Sequence, residues 1–205
     1  MAMPLSLVVA VGLALGAQAP SQGEIIDRIL AIVGGQVVTL SDARAAVVLG
    51  LLDIGASTGV PAVTDRLVER ELILREVQRY APPEPASAAI DARMGELRRR
   101  FAGTGGFERA IDANGFTERR LRAWVRDDLR VQAYLAQRFA TAGAPTDQEI
   151  AGAYARQLAE FEERGMSLEA ATPMLRERLA AARRVELIAE WVADLRRRTE
   201  VVLIP

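Results

Sequence analysis

Acidic pairs and arginine runs are the groupings in this chain that could do ionic or acid–base chemistry. Asp127-Asp128 and Glu162-Glu163 are adjacent acids, and Arg98-Arg99-Arg100 and Arg196-Arg197-Arg198 are basic triplets. Two carboxylates facing one another can act as acid and base on a glycosidic bond, or hold a divalent cation. Neighbours on a helix point about 100° apart and do not share a site, so neither pair makes a glycosidase dyad, and neither alone makes a metal site. Arginine clusters can hold an anionic partner. Residues 91–130 carry ten Arg against seven Asp plus Glu, a modest excess. No aromatics are interleaved for base stacking, so the stretch reads as a solvated helix face laced with ion pairs. Arg196 to Arg198 sit where a helix C-terminus is expected, and cations there complement its dipole.

The missing residue types exclude more. The 205 residues contain no His and no Cys, and all 26 basic residues are Arg. Without Cys there is no disulfide, thiolate nucleophile or cysteine-ligated zinc or iron–sulfur cluster. Without His there is no Ser–His–Asp triad and no imidazole-ligated metal. Without Lys there is no Schiff base and no Walker-type phosphate loop; that gap matches codon bias in a GC-rich genome. No catalytic residue, cofactor or metal is expected. The formal net charge is −1, which disfavours general nucleic-acid binding.

The elements that must position these residues are mostly helical. Ala, Leu and Arg dominate, half of the residues are apolar and only 5% are aromatic. Gly34-Gly35 between β-branched runs predicts a hairpin, with strands near 27–33 and 36–40. Ser41 is expected to cap a helix reaching about Ile54, with Asp42 in its first turn. Gly55, Gly59 and Pro61 mark a loop. Thr64 is expected to cap a helix over 62–80, stopped by Pro82-Pro83-Glu84-Pro85. Ser87 is expected to cap a third helix, through Arg100. A short helix over Phe107 to Ala113 follows. Thr117 caps a long helix to about Phe139, with Leu121, Trp124, Val125, Leu135 and Phe139 on one face and Asp128 and Gln132 interrupting it. Thr146-Asp147-Gln148-Glu149 is a capping box for a helix reaching about Arg164. Pro173 is expected to open the last helix, 173–198. Val185, Ile188, Trp191, Val192 and Leu195 share one face of it, while Leu175 and Leu179 are rotated away, so its two halves need different partners. Val201 to Ile204 is a strand expected to pair with an edge of the hairpin. Met94, Trp124, Met166, Met174 and Trp191 are expected to be core residues.

Residues 1–23 carry no charged side chain, and Leu5 to Leu15 is an apolar stretch too short to span a bilayer. With Ala17-Gln18-Ala19 behind it, the stretch has the form of a cleavable export signal. Residues 1–19 are expected to be a signal peptide. The mature chain is then soluble in the periplasm, without stable membrane insertion.

Asp27-Arg28-Ile29-Leu30-Ala31-Ile32-Val33-Gly34-Gly35-Gln36-Val37-Val38-Thr39-Leu40-Ser41-Asp42 resembles the opening of SurA-type periplasmic chaperones. Leu67 to Glu76 is similar to that family's second helix, Thr117 to Phe139 to its following long helix, and Thr146 to Ile150 with Tyr154 and Phe161 to the segment after that. Arg176 to Leu203 resembles its terminal helix and strand; trigger factor's helical chaperone domain is a more distant relative. In the family, a parvulin-type prolyl isomerase lies between the Phe161-like position and the terminal helix; here only Glu162 to Thr172 intervene. Parvulin sites use His with Cys or Asp, and this chain has neither His nor Cys.

The resemblance implies a mainly α, SurA-like multi-helix chaperone core, with an N-terminal β-hairpin completed by a C-terminal strand and no isomerase. It divides the chain into a peptide-binding domain over 20–145 and C-terminal helices and strand over 146–205 completing the same domain. The implied function is that of an ATP-independent holdase for unfolded polypeptides such as outer-membrane protein precursors, acting without nucleic acid; a homodimer stays open. Leu51, Leu52, Met94, Phe101, Phe107 and Phe116, which fall outside the periodic core stripes, are the candidate client contacts. The breaks at 55–61, 81–86 and 102–106 would let the cradle adapt. The alternatives are a prolyl isomerase using carboxylates and hydroxyls, an adaptor for one folded envelope protein, and an anchored form retaining residues 1–19.

Overall fold

The computed structural model describes residues 27–204 apart from 53–54, 56–58, 102, 104 and 141–142. The targeting segment expected over 1–19 and the helix end expected at Ile54 lie outside the described residues.

The hairpin forms as its glycines dictate. Strands β1 (Ile29–Val33) and β2 (Gln36–Thr39) are joined by Gly34 and Gly35, with φ of 51° and 91°. Positive φ at both turn positions matches the twist of the strands and carries no Cβ penalty at glycine. Arg75 donates from its Nη1 to the Gly34 carbonyl oxygen at 2.7 Å, fixing the tip. Strand β3 (Val201–Leu203) pairs antiparallel with β1, giving the order β2-β1-β3.

Eight helices follow β2 among the described residues: α1 (Leu40–Val48), α2 (Val60–Tyr80), α3 (Ser87–Arg99), α4 (Gly106–Ala113), α5 (Glu118–Arg138), α6 (Asp147–Arg156), α7 (Leu158–Glu163) and α8 (Leu168–Arg198). The chain is thus mainly helical, with one small antiparallel sheet.

Two caps are where the sequence places them. The Thr117 hydroxyl accepts from the Arg120 amide at 3.1 Å, and Thr146 and Glu149 form a reciprocal capping box. Four starts differ. Thr39, not Ser41, caps α1: the Asp42 carboxylate accepts from the Thr39 amide at 3.0 Å, while the Ser41 hydroxyl turns to Asp27. Gly59 precedes α2, and Thr64 lies buried inside it, donating to the Val60 carbonyl at 2.8 Å. Ser87 is the first residue of α3, after Ala86. Ser167 caps α8, so Pro173 sits inside that helix rather than at its start. The helix expected through Arg164 breaks at Gln157 into α6 and α7.

Helix α2 ends at Ala81, which takes the left-handed conformation (φ 42°, ψ 58°) before the Pro82-Pro83 stop. A non-glycine residue there costs about 1–2 kcal/mol.

Three apolar clusters hold the fold. The main one joins the sheet, α1, α2 and α5 to the C-terminal half of α8 through Leu30, Val33, Leu67, Val68, Leu72, Val77, Tyr134, Trp191 and Leu195. A second joins α1, α3, α4 and α5 through Leu49, Met94, Leu97, Phe107, Phe116 and Leu121. A third contains Ile150, Ala153, Phe161, Ala171 and Leu175. It joins α6 and α7 to the first half of α8, so the two halves of α8 do have different partners. The C-terminal half of α8 and Val201 of β3 pack into the first cluster.

Candidate functional site

Helices α2 and α8 cross, and their facing surfaces do not close completely. Ile73 from α2 and Val185, Ile188, Ala189, Val192 and Ala193 from α8 line an open groove of about 390 Å³. Arg66, Glu69 and Arg196 stand along its rim. Arg66 pairs with Glu69 at 2.9 Å and Arg196 with Asp65 at 3.2 Å, so the rim charges are mutually tied and solvated.

Val185 is 67% exposed although it lies on the same face of α8 as buried Trp191, Val192 and Leu195. It falls between the two packing partners of α8 and belongs to neither. The sequence reading expected it in that face, not in a groove. The signal that could have found it is the rotation between the Leu175–Leu179 stripe and the Val185–Leu195 stripe, since a residue at such a changeover lacks a neighbour.

A second hollow, of about 350 Å³, lies between α1 and the start of α2 and is lined by Leu40, Ala43, Val47, Val48, Val60 and Val63, with Arg44 and Asn114 beside them. Val47, Val48 and Val60 are all exposed there.

The six sequence candidates sit elsewhere. Met94, Phe107 and Phe116 are buried in the second cluster, and Phe101 packs partly buried against it. Leu51 and Leu52 are half-buried against the main cluster, Leu51 touching both. The structure thus brings Met94, Phe101, Phe107 and Phe116 together, but as a core. Phe107 and Ile111 of α4 share this core with Met94 and Leu97 of α3 and Leu121 and Val125 of α5, and the Phe101 and Phe107 rings lie 5.7 Å apart. Among the other expected core residues, Trp191 is buried, Trp124 and Met166 are half-buried, and Met174 is exposed.

The adjacent acids diverge as helix geometry requires. Asp127 accepts from Arg126 at 2.7 Å, while Asp128 accepts from Gln132 at 2.8 Å. The arginine stretch is tied mainly between helices: Arg98 to Glu118 (2.9 Å), Arg122 to Asp91 (2.6 Å) and Arg120 to Asp42 (2.6 Å).

Between α2 and α5 lies a polar inclusion. The Arg70 guanidinium stacks 3.8 Å from the Trp124 ring centre, and its Nη2 is 3.4 Å from the Trp124 carbonyl oxygen. Burial lowers the Arg70 pKa, against the opposing charges of Asp128, Asp127, Glu71 and Asp42. Burial also raises Glu71 and Asp128 above the ordinary carboxylate range, more than Arg70 beside both can offset. The Trp124 indole Nε1 is buried without a hydrogen-bond partner. Arg70, Glu71 and Asp128 are each half-buried, and the Arg70–Trp124 contacts tie α2 to α5.

Among the described residues no cluster of three or more acidic side chains could hold a metal ion, and no helix is long and apolar enough to cross a membrane. The chain matches no protein-family model and no curated protein.

Proposed function

We propose that this chain is an ATP-independent holdase which keeps unfolded polypeptides, such as outer-membrane protein precursors, from aggregating in the periplasm. The observation that carries the reading is the α2–α8 groove. It offers exposed Val185, and Ile73 and Ile188 in part, to solvent over a floor that includes buried Val192, between rims of fixed charge. Such a surface gains free energy from any apolar segment, about 25 cal/mol per Å² covered, without demanding one sequence. Charged rims keep it soluble, and a shallow floor lets the client leave. The second hollow, at Val47, Val48 and Val60, adds another weak contact for the same extended client. The resemblance to the SurA-type core points the same way. On this reading the client contacts are the residues of these two hollows, while Met94, Phe107 and Phe116 are buried in the second cluster and Leu51, Leu52 and Phe101 are packed partly buried.

The test is suppression of light scattering when a urea-unfolded outer-membrane protein is diluted into buffer with the purified chain lacking residues 1–19. The expected result is dose-dependent suppression, weakened by Val185→Asp. Unchanged aggregation at several-fold molar excess overturns the reading.

A further inference from the structure

The two edges of the sheet are not equivalent. In the β1–β3 ladder, Ala31 faces Leu203, Ile32 faces Val202 and Val33 faces Val201. The Gly34 amide donates to the Glu200 carbonyl at 2.8 Å, and the Ile204 amide to the Leu30 carbonyl at 2.9 Å. Pairs exchanging hydrogen bonds alternate along an antiparallel ladder, so Ile32 and Val202 form the bonded pair between these two. The amides and carbonyls of Val201 and Leu203 therefore point away from β1. Among the described residues nothing hydrogen-bonds to them.

The β2 edge offers fewer open groups by comparison, with Val37 its one outward residue left uncapped among the described residues. The outward amide of Thr39 is taken by the Asp42 carboxylate at 3.0 Å, and the chain turns at once into α1. Sheet edges are ordinarily guarded by charged side chains or by proline within the strand. Val201 to Ile204 contains neither; Glu200 and Pro205 only flank it. Instead Val202, Leu203 and Ile204 are 41%, 52% and 38% exposed. Next to the open edge, Leu203 and Ile204 share a hollow of about 260 Å³ with Leu30, Val60 and Pro61, with Arg28 and Asp65 also lining it.

We propose that the outer edge of β3 is a client site, taking an extended, β-prone segment of unfolded polypeptide as an added strand. The main-chain groups of Val201 and Leu203 bind its backbone, and the hollow at Leu30, Val60 and Pro61 takes one of its apolar side chains. Strand addition of this kind draws affinity from main-chain bonds and selectivity from alternate side chains. The size of the edge selects the occupant. Three residues bury far less than the roughly 1,200 Å² of a stable interface between folded proteins, so a second copy gains too little here. An unfolded segment that must be released needs no more. The site rests on the holdase reading and gives it a substrate class: segments alternating apolar and polar residues, whose amides are still unpaired.

The experiment uses a short fluorescent peptide alternating Val with Thr, and the chain lacking residues 1–19. Three versions of the peptide are compared: unmodified, N-methylated on the amides of one strand edge, and N-methylated on both edges. The one-edge version is expected to bind as the parent does, because its other edge still pairs. The two-edge version is expected to bind at least tenfold more weakly. Hydrogen exchange at the Val201 and Leu203 amides is expected to slow when the parent peptide binds. Leu203→Pro removes an outward donor and a side chain that lines the hollow while sparing the Ile32–Val202 bonded pair, and is expected to weaken peptide binding about tenfold. Equal binding of all three peptides overturns the edge site and leaves the holdase reading standing. Slow exchange at both amides in the free protein also overturns it, since a second copy or another part of the chain then covers the edge. Failure both to bind the parent peptide and to suppress aggregation overturns the holdase reading itself.

Discussion

The two halves of α8 live in different surroundings. Trp191, Val192 and Leu195 are enclosed by the sheet, α2 and α5 in the main cluster. Leu175 and Ala171 pack with α6 and α7 in a cluster of five buried residues. That satellite is helped by Arg183 paired to Glu149 and by Arg176, 3.2 Å from Asp147. Exposed pairs of this kind are worth about 0–1 kcal/mol each, so the satellite rests mainly on Ile150, Phe161 and Leu175 with Tyr154 and Leu179 packed against them. One helix therefore belongs to two regions of unequal strength, and the exposed groove residue Val185 marks the join.

Four measurements would break or sharpen that contrast. The largest effect on global stability is expected from Leu195→Ala in the main cluster: about 2–5 kcal/mol lost, read by urea unfolding. A loss under 1 kcal/mol would mean that the C-terminal half of α8 is not part of the main core. Phe161→Ala should remove a ring stacked 5.0 Å from Tyr154. Its cost is about 3–5 kcal/mol at that site, expected as accelerated hydrogen exchange confined to α6, α7 and the first half of α8, with the main transition unmoved. A matching drop in global stability would show that the two regions unfold as one. Val185→Asp, at the join, should shift stability by no more than about 0.5 kcal/mol while weakening client binding. A large stability loss would make Val185 a core residue.

The smallest effect concerns pH, where the two regions should respond in opposite directions. Glu71 and Asp128 in the main body sit above their ordinary values of 4.5 and 3.8 because burial disfavours their charge. The folded state then takes up protons first, so their contribution makes the body more stable as pH falls through their raised pKa values toward those ordinary values. Glu149 is held below 4.5 by hydrogen bonds from Thr146 and Arg183. Its support is complete above 4.5 and is lost as pH falls through its lowered pKa. Asp128→Asn should remove part of the acid-side gain of the body, and Glu149→Gln the acid-side loss of the satellite, both followed by residue-resolved hydrogen exchange. The same slope in both regions would refute the contrast.

The fold was largely legible where one residue type has one use. Gly34-Gly35 permits little besides a tight hairpin turn, and Thr117 and Thr146 precede helices with nothing upstream to compete. Hydroxyls were ambiguous elsewhere, since Thr64 and Ser87 can sit just as well inside a first turn, where Thr64 finds the Val60 carbonyl. The same ambiguity hid Thr39, whose partner Asp42 had been assigned to a cap at Ser41. The candidate site was less legible. Periodicity reports which face is apolar, not whether a partner covers it. Met94, Phe107 and Phe116 lay off the long stripes yet are buried in the second cluster, while Val185 lay on a stripe yet is uncovered.

The pairing of Val33 with Val201 joins two strands 168 residues apart in the chain. A ribosome delivers this chain N-terminus first, and the hairpin cannot be flanked by β3 until Val201 has been made. Until then β1 lacks its neighbour, and Leu30 and Val33 lack the cover of Leu195. Closure of the sheet is thereby a long-range pairing, made only after the helices that lie between β2 and β3 in the chain.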